Sequence, residues 1–239
     1  MILLALDTAE KSQGLALLED GQVLAEKSSP HPSSHADELL LNLNYLLKSA
    51  GLSLDRVDAI AVTVGPGSFT GLRIALSTVK ALALVRGIPV IPVGTLLALA
   101  APYLDEHPWV APCLDARMAQ VYGAVYSRAE PSGSPRERHP PSAMELIDFN
   151  NKILRLPHGG IVVGSGLLAH PSLVLGVKAD PQARVGAAWV GRIALQMYKA
   201  GEFLAGREVR PAYLRLSTAE ERLLEKAGLS AKKAQKTVL

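Results

Sequence analysis

The sequence predicts an α/β protein whose second half repeats the element order of the first, and three features carry that reading. Short apolar runs of strand length, such as 2–7 and 59–64, alternate with longer segments whose apolar residues recur at helical spacing. Glycine-centred turns separate them. The order of strands, helix, strand and helix before about residue 104 then recurs after it.

The elements follow in chain order. Residues 2–7 are almost wholly apolar, as a central strand requires, and the polar break Asp7-Thr8-Ala9-Glu10-Lys11 ends them. A second strand covers 14–18. Asp20-Gly21 supplies the positive φ that a tight hairpin needs, and 23–27 returns, which gives an antiparallel meander. A helix follows, with Ser34 as N-cap and Asp37 three residues on. Leu39, Leu40, Leu43, Leu46, Leu47 and Ala50 form its apolar stripe, and Gly51 stops it. Leu41 and Tyr45 lie off that stripe, four residues apart, and read as a second apolar strip.

Strand 59–64 runs into Gly65-Pro66-Gly67-Ser68-Phe69-Thr70-Gly71 and then into a helix from about 72 to 86. That helix is apolar nearly all round, with Leu72, Leu76 and Val79 spaced by small residues such as Ala75. It is therefore buried on every side or shared with another subunit. A strand at 88–93 and a helix at 95–104 complete a first unit, 1–104. The second and smaller unit, 105–217, opens with strand 109–114, a turn at Asp115-Ala116-Arg117 and strand 121–126. Residues 128–141, rich in Pro, Ser and Arg, read as a mobile loop, and a helix is expected from near Ser142. Strand 161–163 ends in Gly164-Ser165-Gly166, a long helix covers 185–200, and 211–215 is a last extended piece. A basic tail, 218–239, is expected to be partly disordered.

Composition narrows the class. With 49% apolar residues in 239, a sizeable core can be buried. No apolar run is long enough to span a bilayer, and the N-terminus lacks the basic region and cleavage site of a signal peptide. Cys113 is the only cysteine, which excludes an internal disulfide and four-cysteine zinc sites. A soluble cytoplasmic protein is expected. The net charge of +3 is small for a nucleic-acid binder, and Lys232, Lys233 and Lys236 contribute it from the tail.

Few residues carry chemistry. Gly65, Gly67 and Ser68 sit on a strand-to-helix turn where backbone amides could approach a phosphate, or where only a tight turn is needed. No Gly-Lys-Ser/Thr follows, so this is not a Walker A loop. Asp7 and Thr8 close the first strand, where an acid could organise metal-bound phosphates or simply bond its own turn. His31 and His35 have helical-ligand spacing, but Pro32 lies between them and no third ligand is near. Cys113, in an apolar strand, reads as an inert core residue. Asp115 and Arg117 read as a self-capped turn. No catalytic set and no metal site emerges.

Five segments resemble the TsaB (YeaZ) family: 2–8, the helix start Ser34-His35-Ala36-Asp37-Glu38-Leu39-Leu40, the run IAVTVGPGSFTGLRI at 60–74, Leu114-Asp115-Ala116-Arg117 with Val121-Tyr122, and Pro211-Ala212-Tyr213-Leu214-Arg215. Only the tail is uncovered. The resemblance implies two tandem ribonuclease-H-like units of the actin, Hsp70 and sugar-kinase superfamily, with mixed sheets flanked by helices. It implies a non-catalytic scaffold subunit that pairs with TsaD, and with the ATPase TsaE, in forming threonylcarbamoyladenosine in tRNA. TsaD carries a metal-binding histidine pair after the strand that follows its own glycine loop; the matching positions here are Thr95 and Leu99. Neither replaces imidazole.

The family pairs through the first two helices of each subunit, so Leu41, Tyr45, Leu72, Ala75, Leu76 and Val79 are the expected interface. A homodimer is expected for the protein alone, with tRNA met only through the complex and no membrane association. No cofactor is required, although weak adenine-nucleotide binding at or near the TsaD interface is compatible with the turns at Asp7, Thr8, Gly65, Gly67 and Ser68. Ala9 and Glu10 stand where a phosphate site favours Ser, Thr or Gly. The alternatives are an actin-like ATPase or sugar kinase, and an M22-type metallopeptidase-like protein.

Overall fold

The structure, a computed structural model, describes residues 1–29, 35–128, 135–171, 173 and 176–215, the side chains of 35 and 36 excepted. Two five-stranded mixed sheets share one topology. In the first, β1 (Ile2–Asp7), β2 (Gln13–Glu19) and β3 (Gln22–Ser29) form the antiparallel meander, and β4 (Ala59–Gly65) and β5 (Val90–Gly94) add in parallel, giving the order β3-β2-β1-β4-β5. The second consists of β6 (Val110–Asp115), β7 (Gln120–Ser127), β8 (Arg136–Glu145), β9 (Ile161–Val163) and β10 (Lys178–Asp180), in the order β10-β9-β6-β7-β8. Its first three strands are again antiparallel and its last two parallel. Both are ribonuclease-H-like units. The β2–β3 hairpin turns on Asp20 and Gly21, at φ 49° and 89°, the positive values its sequence demands.

Among the described residues six α-helices complete five layers. α1 (His35–Ser49) and α2 (Phe69–Arg86) cover the outer face of the first sheet. α4 (Leu146–Ile153) and α5 (Gly166–Ala169) cover that of the second. α3 (Thr95–Ala100) and α6 (Ala187–Lys199) lie between the sheets. Strand β1 shows how sequence sets this up, because successive side chains alternate faces. Ile2, Leu4 and Leu6 point to the outer helices, whereas Leu3 and Ala5 face the central layer with Ala16, Ala59 and Ala61. An alanine-lined face lets α6 approach closely: Ala187 stands where a side chain at Gly14 would meet it at 3.3 Å.

Four expectations change. Residues 128–141 are not one loop: Arg136 onward is the edge strand β8, and 129–134 lie outside the described residues. Its prolines, Pro140 and Pro141, fall at a register shift on the sheet edge, the one place a strand tolerates them. The helix expected from Ser142 starts only at Leu146. The second unit does not keep its own last helix, because α6 packs on the first sheet, with Ala187, Val190 and Ala194 in the core that both sheets share. Leu40 leaves the stripe assigned to it and is 56% exposed. Ser34, His31 and the tail lie outside the described residues.

After α6 the chain returns along the first unit. Leu204 bridges Val90 on the sheet edge, the turn Gly206–Glu208 packs on α2 beside Ala83, and Val209 is fully buried. No described helix is long and apolar enough to cross a membrane.

Candidate functional site

The end of β1 and the glycine turn after β4 meet, as two parallel neighbours should, but they meet to seal each other. Asp7 is 1% exposed. Its Oδ1 accepts from Thr63 Oγ1 at 2.7 Å and from the Ala9 N–H at 3.2 Å. Burial pushes its carboxyl up to about 7, against the pull of those two hydrogen bonds. Thr8 Oγ1 donates to the Gly71 carbonyl at 2.7 Å, and the Ser68 N–H donates to the Ala9 carbonyl at 2.7 Å.

The motif glycines answer to this close approach. A Cβ at Gly67 would overlap the Ala9 carbonyl, and one at Gly71 the Thr8 carbonyl. Gly65 has φ 125°, and a Cβ there would lie 2.6 Å from the Ala212 carbonyl oxygen. Ser68 is the N-cap of α2, its Oγ accepting from the Gly71 N–H at 3.2 Å. The helix therefore begins at Phe69, three residues before the expected Leu72. Asp7, Thr8 and Gly65 are buried, and of the five proposed turn residues only Gly67 and Ser68 line the open space beside the motif.

That space is a cleft of about 1230 Å³ between the units. Ala9, Glu10, Gly67 and Phe69 line one wall, and Asp115, Arg117, Ser165 and Arg184 the other. Glu10 has its pKa raised by burial, opposed by a hydrogen bond with Ser165 and by the charge of Arg184. Its Oε2 has no hydrogen-bond partner among the described residues. Asp115 Oδ1 accepts from the Arg117 N–H at 2.8 Å, the self-capped turn its sequence suggests. The turn is strained: Arg117, Met118 and Ala119 have φ of 61°, 51° and 56°. For a non-glycine residue this conformation costs about 1–2 kcal/mol each. Sequence reasoning missed that strain, because nothing in Ala-Arg-Met-Ala signals left-handed backbone.

Cys113 is buried on β6 and its thiol is pushed up to about 12 by burial, which keeps it protonated and unreactive. Among the described residues no group of three His, Cys, Asp or Glu could hold a metal ion.

The second surface of interest is the outer face of α1 and α2. Leu41 and Tyr45 are 69% and 61% exposed, as is Leu40 beside them, and Lys27 Nζ lies 4.8 Å over the Tyr45 ring. The four residues proposed on α2 are placed otherwise. Leu72, Ala75, Leu76 and Val79 are all buried against the first sheet, because they form the stripe that docks the helix on its own unit. The exposed apolar residues of α2 are Leu84 and Val85, at 80% and 82%. Apolar residues dominate α2, although Arg73, Ser77 and Lys80 interrupt them; the buried stripe is Leu72, Ala75, Leu76, Val79 and Ala83.

A family model described as "TsaD: tRNA N6-adenosine threonylcarbamoyltransferase" matches residues 24–161. The tRNA threonylcarbamoyladenosine biosynthesis protein TsaB of Escherichia coli (strain K12) is 32% identical over 231 residues, covering 93% of this chain and 98% of the relative. TsaB of Bacillus subtilis (strain 168) is 28% identical over 237 residues, covering 94% and 99%. The solved structure of YeaZ from Pseudomonas aeruginosa superimposes with a TM-score of 0.79 at 30% identity, covering 89% of this chain and 99% of that one.

Proposed function

From the premise that the chain belongs to the TsaB (YeaZ) family of tRNA threonylcarbamoyladenosine biosynthesis proteins, we propose that it is a non-catalytic subunit that pairs with TsaD through α1 and α2 and supports TsaE. The observation that carries the reading is the apolar outer face of those helices. Leu40, Leu41 and Tyr45 on α1 and Leu84 and Val85 on α2 are large and exposed, on the two helices that cover the outer face of the first sheet. Such residues scattered singly need no partner, whereas a cluster on adjacent helices is stabilised by one. Alone, the same face would pair two copies of this chain.

Two further features support the reading. The positions where the resemblance sets the transferase's metal-binding histidines hold Thr95 and Leu99, and both side chains are buried in the central layer. Asp7, which a phosphate-transferring relative would present to a metal, is closed off by Thr63 and Ala9.

The test is co-elution of the purified chain with TsaD on a sizing column, with Leu41→Asp and Val85→Asp variants beside it. A heterodimer formed by the parent and lost in both variants is the expected result. No association, with ATP turnover by the chain alone, would replace this reading by that of an actin-like ATPase.

A further inference from the structure

The most distinctive stretch of the sequence, the glycine motif, is occupied by the chain itself. Its occupant is the extended segment 211–215. The Ala212 N–H donates to the Val64 carbonyl at 2.7 Å, and the Ala212 carbonyl lies over Gly65, where a side chain would exclude it. Tyr213 stacks on Phe69 with ring centroids 4.5 Å apart and 22° between planes. Its hydroxyl accepts from Arg73 Nε at 3.0 Å. Together with the Leu204 bridge and buried Val209, these contacts fasten the segment to the first unit along its length.

Two residues on, the same segment crosses to the second unit. Arg215 Nη1 donates to the Ala116 carbonyl at 2.6 Å, and Nη2 contacts Met118 Sδ at 3.4 Å. Its target is the turn whose residues Arg117, Met118 and Ala119 are held in left-handed backbone. Phe69, Arg117, Met118 and Arg215 all line the cleft, so the crossing is made at the cleft itself.

We propose that 211–215 is an internal clasp: seated on the glycine motif of one unit, it holds the strained turn of the other in place beside the cleft, and so governs how far the cleft opens there. The chemistry fits a clasp better than a passive strand. Proline at 211 has no N–H to leave unpaired and fixes an extended approach. Arg215 offers a rigid fork to a carbonyl that a turn of this kind presents outward. A residue kept in a rare backbone region persists only when its surroundings over-determine it, and Arg215 does so beside Asp115, which accepts from the Arg117 N–H, and the backbone bonds between Ala116, Arg117 and Gln120. The glycines at 65, 67 and 71 then serve docking, of the clasp at 65 and of the Thr8-Ala9 turn at 67 and 71. The clasp does not depend on any partner, so it stands or falls apart from the reading above.

Cys113 is buried, so labels attach to introduced cysteines alone. Spin labels at Thr70→Cys and Arg117→Cys, both exposed and on opposite walls of the cleft, report its width by pulsed dipolar spectroscopy. The parent gives a narrow distance distribution. Arg215→Ala and Tyr213→Ala each broaden it about twofold and lengthen its mean. Arg210→Ala, whose guanidinium bonds the Arg207 and Val209 carbonyls of its own segment, leaves it unchanged. Amide exchange gives a second reading free of labels: the Ala116 and Gln120 amides, bonded within the turn, exchange at least tenfold faster in Arg215→Ala. Distributions that superimpose on the parent's in both clasp variants, or unchanged exchange at 116 and 120, would overturn the clasp.

Discussion

The two units repeat one topology, yet what each does with its equivalent residues differs. Each first strand ends in an aspartate, Asp7 on β1 and Asp115 on β6. Each parallel strand that follows runs into a glycine in positive φ, Gly65 at 125° and Gly164 at 115°. In the first unit the aspartate is sealed and the turn launches an 18-residue helix. In the second the aspartate opens onto the cleft and the turn launches a four-residue one. The outer cover differs likewise: 15 and 18 residues of helix on one sheet, eight and four on the other. The first unit thus carries the longer helical cover and one wall of the cleft, and the second supplies the other wall.

The largest effect expected from this contrast is at the two glycine turns. Gly71→Ala sets a methyl into the Thr8 carbonyl, backbone against backbone, with nothing able to yield. It should cost more than about 4 kcal/mol and leave no cooperative thermal transition. Gly166→Ala meets Cys113 Sγ at 2.9 Å and the Cys113 carbonyl at 3.1 Å, which a small shift of a four-residue helix relieves. A loss of about 1–3 kcal/mol is expected there. Equal losses in urea titrations of the two variants would mean that the turns are not mechanically different.

Next in size is the sealed aspartate. With a folded pKa of about 7 and an unfolded value of about 3.9, Asp7 binds more proton in the native state between those limits. Stability from this group is therefore highest below about pH 4, falls as pH rises to about 7 and is level above it. Three units correspond to about 4 kcal/mol as an upper bound. Asp7→Asn keeps an acceptor for Thr63 and Ala9 without the buried charge. It should flatten the pH profile between 4 and 7 and be more stable than the parent by about 2–4 kcal/mol at pH 8. A parent profile that rises with pH over that range would contradict the burial argument.

Third is the contrast between outer faces. Leu41→Asp and Val85→Asp remove exposed apolar residues without touching the core, so stability should change by less than about 0.5 kcal/mol, while affinity for TsaD falls by at least ~30-fold. On the second unit, Ile147 and Leu154 are also exposed, at 67% and 63%; Ile147→Asp and Leu154→Asp should leave the heterodimer intact. Calorimetric titration separates the two sets. Loss of binding in the second set would move the interface to α4.

The sequence carried the fold further than the site. Strand alternation and the Asp20-Gly21 hairpin were legible, because period and turn chemistry are local. The crossing of α6 to the first sheet was not, since an amphipathic helix does not name the sheet it covers. Which side of α1 and α2 is exposed was half legible. Leu41 and Tyr45 stand off the stripe that docks α1, but on α2, where apolar residues crowd every turn, Leu72 and Leu76 were not told from Leu84 and Val85 until the sheet had chosen its side. The glycine motif left two readings open for a related reason. A glycine needed for a ligand and a glycine needed for the chain's own backbone look alike until the occupant is seen, and the occupants here are Ala9, Thr8 and Ala212.

The smallest effect tests whether that motif still serves its helix. Ser68 Oγ accepts from the Gly71 N–H and caps α2, whereas Ser165, at the matching start of α5, makes no such bond and turns its hydroxyl to Glu10. Ser68→Ala leaves one amide of the helix start without its partner and should cost about 1 kcal/mol in urea unfolding. Ser68→Asp keeps the acceptor and adds negative charge at the positive end of the helix, so it should be neutral or gain a few tenths of a kcal/mol. Because α2 carries half of the proposed partner face, the alanine variant should also lose some affinity for TsaD, and the aspartate variant none. Ser68→Ala as stable as the parent would mean that tight packing on Thr8 and Ala9, and not the cap, fixes where α2 begins.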